Sequence, residues 1–174
     1  MPPVAHDGDK RTDAAMNEQE MLQHLITRIR DGKGWHGRDI ADLTADVTAE
    51  EAGMVLGPGT HSVWQIVLHL IAWRDVACRL LAGESVDGLP EARNWPAVID
   101  TSIHAWLHAR EELAASQQRF AEAMMLCPAS NLSKPVPGQT YTFKDLLFGV
   151  LHHDIYHAGQ VAIARNAVRA RSKA

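Results

Sequence analysis

A chain of 174 residues, 46% hydrophobic and 6% aromatic, is long enough for one domain with a sizeable core and short for two. Its formal net charge of −4 leaves no basic footprint for nucleic acid or for an anionic membrane surface. Two cysteines without CxxC spacing, Cys78 and Cys127, speak against a disulfide framework and a thiolate zinc site, and read as reduced, mostly buried thiols.

The opening stretch, MPPVAHDGDKRTDAA, is rich in Pro, Gly and charge, so residues 1–14 read as a flexible tail ahead of one domain over residues 15–171. It lacks the apolar core of a signal peptide, and later apolar runs are broken by residues such as Arg74 and Asp75 before they reach membrane-spanning length. The expectation is a cytoplasmic protein with neither membrane nor nucleic-acid partners. Met21, Leu22, Leu25, Ile26 and Ile29 form an apolar stripe that predicts the first helix, ended by Asp31-Gly32-Lys33-Gly34. GWHGRDIADLTADVTAEEAG then reads as an irregular connection with short helical turns, one capped by Thr48 with Glu51 three residues on.

Ser62 followed by Gln65 resembles a capping box for a second long helix. With His69 as reference, Ile66, Trp73, Val76 and Leu80 lie within about 60°, whereas Arg74, Asp75 and Arg79 fall to the sides or behind. His69 therefore faces inward. GESVDGLPEARNWP reads as a loop. From Pro96 to Leu126 a third helix carries Ile99, Ile103, Trp106, Leu113, Phe120 and Met124 on one stripe, and Pro128 stops it. The prolines of SKPVPGQTY deny that connection a helix. Thr142 opens the last helix. With no strand alternation and no fixed-period repeat, four long amphipathic helices predict an all-α four-helix bundle.

Ten histidines are the unusual feature of the composition. In the last helix Leu146, Val150, Val161, Ala164 and Val168 share one face, and His153 and His157 lie on it. Residues at i and i+4 have Cβ atoms roughly 5–6 Å apart, so two ring nitrogens there can share a cation. Each buried imidazole needs partners for both nitrogens, and a metal at His69, His153 and His157 would satisfy three such needs together. His104 and His108 repeat the HxxxH spacing on a polar face and read as solvated, so the face carries the argument. Gln160, one turn beyond His157, is placed to orient a ligand or to line a pocket, as is Trp73. His152, at the flank, reads as a residue beside the ligands, lining the pocket or the surface, and not as a ligand itself; Asp154 falls on the outer flank, and His24, Trp35, His36 and His61 have no assignable face. Three nitrogen ligands leave a coordination position for water or substrate; imidazoles suit several divalent ions, of which zinc or nickel is expected.

HSVWQIVLHLIAWRD and HDIYHAGQVAIAR resemble the second-helix and final-helix patterns of the DinB/YfiT-like superfamily, and GKGWHGRDI and VPGQTYTFKDLL resemble a branch of it. The resemblance spans about Asn17 to Val168. It implies a four-helix bundle with long crossover connections, a divalent ion at His69, His153 and His157, and a homodimer. It also implies relatives that use low-molecular-weight thiols, among them bacillithiol S-transferases and a mycothiol-dependent maleylpyruvate isomerase, beside metal-dependent hydrolases. The expected function is a metal-dependent thiol S-transferase or hydrolase acting on a small electrophile. The alternative is a non-catalytic metal- or ligand-binding module of a stress response.

Overall fold

Capping side chains decide where the helices begin. Ser62 Oγ accepts the Gln65 N–H at 3.2 Å while Gln65 Oε1 accepts the Ser62 N–H at 3.0 Å, and Thr48 and Glu51 exchange the same pair of bonds, as both spacings predict. The computed structural model describes residues 17–30, 33–35 and 37–171. The predicted tail, the Asp31-Gly32 stop, His36 and the side chain of Ile29 lie outside the described residues. Four helices are long: α1 (Glu18–Arg30), α4 (Val63–Leu81), α6 (Ile103–Leu126) and α7 (Phe143–Arg171). Three are short: α2 (Ile40–Thr44), α3 (Ala49–Gly53) and α5 (Glu91–Asn94). No strand occurs among the described residues, and no helix among them is long and apolar enough to cross a membrane.

The third long helix starts later than the apolar stripe implies. Ser102 caps α6 by accepting the Ala105 N–H, and its own N–H is held by Asp100 Oδ1 at 2.8 Å. Ile99 and Ile103 consequently stay 94% and 69% exposed. Cap chemistry overrides periodicity here, because an extended residue with satisfied polar groups ends the helix whatever precedes it. The expected loop after Gly83 likewise contains a helical turn, α5. The connection before α7 is tied into a tight turn, in which Val136 N–H donates to Tyr141 O and Gly138 takes φ +74°.

α4 runs through the middle, packed on α6 and α7, while α2 and α3 lie against α7 and α1 against α6. Trp64 and Trp106 meet at 5.1 Å, and the Trp106 indole N–H donates to Val47 O at 2.7 Å, fastening the α2–α3 connection to the core. Among the described side chains of α1, Leu22 and Ile26 enter the core, against Phe120, Met124 and Leu147, while Met21 and Leu25 are exposed. On α7, Leu147, Leu151, Asp154 and Ala158 are buried, whereas Leu146 and Val150 are half-buried. The buried line is thus displaced by one residue from the predicted one over the first half of this helix.

Two charged residues expected on flanks are in the interior. Arg74 is 2% exposed and Asp154 7%, and Arg74 Nη2 donates to Asp154 Oδ2 at 2.9 Å. Arg74 Nη1 donates to Leu113 O and Ser116 Oγ, so one guanidinium joins α4, α6 and α7. Burial of either charge alone is prohibitive, and their pairing is what permits it. Removal of one partner, by Arg74→Met or Asp154→Leu, is expected to cost about 3–5 kcal/mol. The double variant should recover much of that loss in urea unfolding, and strictly additive losses would show the two charges to be uncoupled.

The surface of α7 carries a second set of ion pairs. Arg165 Nη2 and Arg169 Nη1 both reach Asp46 Oδ2, at 2.5 and 3.0 Å, and Arg169 Nε reaches Glu51 Oε1 at 3.0 Å. Hydrogen bonds from Arg165 and then Arg169 hold the Asp46 carboxyl well below the usual carboxylate range. A carboxyl depressed in the fold stabilises above its unfolded pKa of about 3.9 and loses that contribution as pH falls toward the folded value. Asp46→Asn should therefore lower the melting temperature at pH 7, and the gap from the parent should narrow progressively as pH falls below about 4 in thermal scans.

Candidate metal centre

Helical spacing alone brings two of the three inward histidines together. His153 and His157 are one turn apart on α7, with Nε2 atoms 3.1 Å from each other, and α4 delivers His69 across the bundle so that its Nε2 lies 3.0 Å from His153 Nε2. The three donor atoms all lie within 4.8 Å of one another. His69 and His157 are buried and His153 is half-buried.

The far nitrogens of two rings are committed. His69 Nδ1 meets the Asn94 carbonyl oxygen at 2.6 Å, and because that oxygen can only accept, the ring carries its proton on Nδ1. His157 Nδ1 meets Gln160 Oε1 at 2.6 Å, and Gln160 Nε2 donates to Tyr156 Oη at 3.0 Å. Both rings consequently turn an unprotonated Nε2 toward His153. Desolvation first, and then the neighbouring imidazoles, pull His153 down to about 4; desolvation also lowers His157 to about 4 and depresses His69. The rings are neutral at pH 7, the form in which imidazole binds a metal.

This donor set fits a divalent ion. Three neutral rings with two Nδ1 protons fixed have at most one proton, on His153 Nε2, to place among three converging nitrogens. A single N–H cannot bond both neighbours well at 3.0 and 3.1 Å, and an ion at the centre engages all three lone pairs. Tetrahedral zinc with nitrogens at about 2.0–2.1 Å separates them by about 3.4 Å, a few tenths of an ångström beyond the two separations at His153. Among the described residues no other group of histidine, cysteine or carboxylate side chains is arranged in this way.

Residues outside the long helices complete the surroundings, and these were not apparent from periodicity. Asn94 comes from α5; besides holding His69 with its carbonyl it accepts the Trp73 indole N–H on Oδ1 at 2.8 Å. Trp95 stacks on the His69 ring at 3.9 Å with planes 10° apart, and His61 stacks on the other face of Trp95 at 3.5 Å and 2°. Trp73 and Gln160 both lie beside the histidines, Trp73 edge-on to the His69 ring and Gln160 against His157 Nδ1. His152 does not reach it: it is exposed, with its ring near Phe148. His24, Trp35, His104 and His108 are also exposed.

A chamber of about 530 Å³ adjoins the histidines. His69 and His153 stand in its wall, and Trp73, Val76, Ala77, Leu80, Leu146 and Val150 supply most of the remainder. A volume in the range of small-molecule pockets, about 300–1,000 Å³, with a few polar groups converging at one place, is the form of a ligand site.

No curated protein and no solved structure significantly matches the chain. The sequence profile of the DinB superfamily does match, over residues 34–161, a span that contains all three histidines, Gln160 and the α5 turn. The chain belongs to the DinB superfamily.

Proposed function

We propose that the chain is a divalent-metal-dependent enzyme in which His69, His153 and His157 hold the ion and a small electrophile reacts with a low-molecular-weight thiol beside it. The observation that carries this reading is the convergence of three neutral Nε2 atoms, two of them oriented through Nδ1. Zinc or nickel is the ion we favour, since imidazole suits both. With three protein ligands, one coordination position is left for a reactant. A divalent ion there would supply Lewis acidity that lowers the pKa of a coordinating thiol or water, so that the nucleophilic anion is available near neutral pH.

In this proposal the chain's own groups act as follows. Asn94 and Gln160 keep the His69 and His157 rings in one tautomer and orientation. Trp73 and the aliphatic wall hold the electrophile and exclude water. The nearby carboxylates already have work: Asp154 neutralises Arg74, and Asp145 accepts from Thr142 N–H and Oγ–H at the start of α7. A mechanism that needs a free general base is thereby disfavoured, and a thiolate needs none once formed. This supports the transferase over the hydrolase. The proposal further takes the chain as one domain over residues 15–171, cytoplasmic, and a homodimer, on the sequence patterns and the resemblance described above.

Metal analysis of untagged protein should find close to one divalent ion per chain, lost in His69→Ala. Restoring metal to the stripped parent should raise the melting temperature. The stabilisation would be about 2.7 kcal/mol at a free concentration about one hundred times Kd, and His69→Ala should show none of it. For the reaction, zinc- or nickel-loaded protein is mixed with bacillithiol, mycothiol or glutathione and monochlorobimane. Turnover should exceed that of His153→Ala by about a hundredfold or more, the scale of a group that touches the reacting centre. Equal turnover would remove the transferase and leave the metal-binding module, in which no thiol perturbs the spectrum of the cobalt-substituted protein.

A further inference from the structure

The carbonyl that holds His69 belongs to a turn with little of its own to hold it in place. α5 is four residues long, with no side-chain cap and no buried residue. Its backbone hydrogen bonds, from Arg93 and Asn94 N–H to Pro90 O and from Trp95 N–H to Glu91 O, close on the turn itself. One isolated turn of helix is not stable alone. It nevertheless keeps a backbone oxygen 2.6 Å from His69 Nδ1, so its position has to come from what Asn94 and Trp95 touch.

Those contacts come from α4 and from the residue just ahead of it. The Asn94 side chain accepts the Trp73 indole N–H. The Trp95 indole lies between two imidazoles, with His69 on one face at 3.9 Å and 10° and His61 on the other at 3.5 Å and 2°. His61 immediately precedes the Ser62 cap, and the reciprocal Ser62–Gln65 bonds that open α4 fix the backbone from which its ring approaches. The position before a cap commonly carries an apolar residue stapled to its own helix; here it carries a flat ring laid on Trp95. Trp95 is packed against the main apolar core as well, but motion along its ring normal is resisted by His69 on one side and by His61 on the other. The Asn94 carbonyl is half of the planar peptide unit that joins Asn94 to Trp95. A displacement of the indole away from His69 would therefore carry the oxygen with it.

We propose that His61 is a positioning residue of the metal centre: by clamping Trp95 against His69 it fixes the Asn94–Trp95 peptide, and with it the oxygen that keeps the His69 proton on Nδ1 and the lone pair on Nε2. His61 is not a ligand in this arrangement, since the indole stands between the two rings. The inference rests on the proposed function for the presence of an ion, whereas the control of the His69 tautomer does not need one.

The clamp is tested first in metal-stripped, full-length protein with isotope-labelled histidine at pH 7. Proton–nitrogen correlation spectra of the parent should give His69 a protonated Nδ1 and a bare Nε2. In His61→Ala the two nitrogen shifts should move toward each other as the second tautomer becomes populated. His61→Phe keeps a flat ring over Trp95 and should restore the parent pattern. Zinc affinity, read by competition with a chromophoric chelator, should fall about tenfold in His61→Ala, the lower end of the range for partners that orient a metal ligand, and should return in His61→Phe. Unmoved His69 nitrogens in His61→Ala would overturn the proposal. So would a loss that His61→Phe does not restore, or a His61→Ala protein that no longer folds. A shifted tautomer with unchanged zinc affinity would overturn the role at the metal centre. A parent that takes up no zinc would end the metal-enzyme reading, while the same change at His69 in His61→Ala would still uphold the clamp.

Discussion

The arrangement depends on two short hydrogen bonds that point away from the point where the three histidines converge. The Nδ1 protons of His69 and His157 are taken by Asn94 O and Gln160 Oε1, each at 2.6 Å, and this decides where every remaining lone pair goes. Without those acceptors each ring could carry its proton on either nitrogen, and the convergence at Nε2 would be one tautomeric state among several. Burial completes the constraint by keeping the rings neutral. The two bonds differ in origin. Gln160 lies three residues from His157 on the same helix, so α7 carries its own acceptor. His69 depends on a backbone carbonyl 25 positions away; the Asn94 side chain of the same residue accepts the Trp73 indole N–H, and the next residue, Trp95, packs flat on the His69 ring.

That difference explains what could be read from the sequence. His69, His153 and His157 were legible because each belongs to a long helix, and a helix converts residue number into direction. Gln160 followed from the same rule. Asn94, Trp95 and His61 did not, since they sit in turns between helices, where contacts have no period to reveal them. Arg74 and Asp154 were assigned to flanks for a different reason. An isolated charge belongs outside, and only a partner on another helix reverses that, which one-dimensional periodicity cannot show. Ile99 and Ile103 erred in the opposite direction: they continue the apolar stripe of α6, yet the Ser102 cap starts the helix after Ile99 and leaves both side chains in solvent.

The site also divides polar work between places. Two sets of ion pairs fasten α7 to other helices and to the α2–α3 segment, the interior Arg74–Asp154 pair and the surface cluster of Arg165, Arg169, Asp46 and Glu51. The first ties three long helices together beneath the histidines; the second holds α2 and α3 against the far half of α7. Neither set presents a free charge to the chamber, where Asp145 is the bordering carboxylate and imidazoles, an amide and an indole surround the place an ion would take. There the ion's own charge would dominate the local field.

α7 shows how one helix can serve these ends in sequence. Over its first half, Leu147 and Leu151 enter the core while Leu146 and Val150 border the chamber, so the helix is apolar on more than one face and a single stripe describes it poorly. His153 continues the chamber line at half-burial, and His157, one turn on, is 3% exposed and absent from the chamber wall. The three nitrogens are therefore unequal in access: from the chamber the cluster is reached on the side of His69 and His153, with His157 behind. Beyond that turn the buried residues are Val161, Ala164 and Val168, and the outward ones include the two arginines that grip Asp46. Any change that rotated the helix to improve its core contacts in the first half would swing His153 off the chamber line. The half-buried, imperfectly packed face of Leu146 and Val150 is thus the geometric condition for the histidines to meet open space at all.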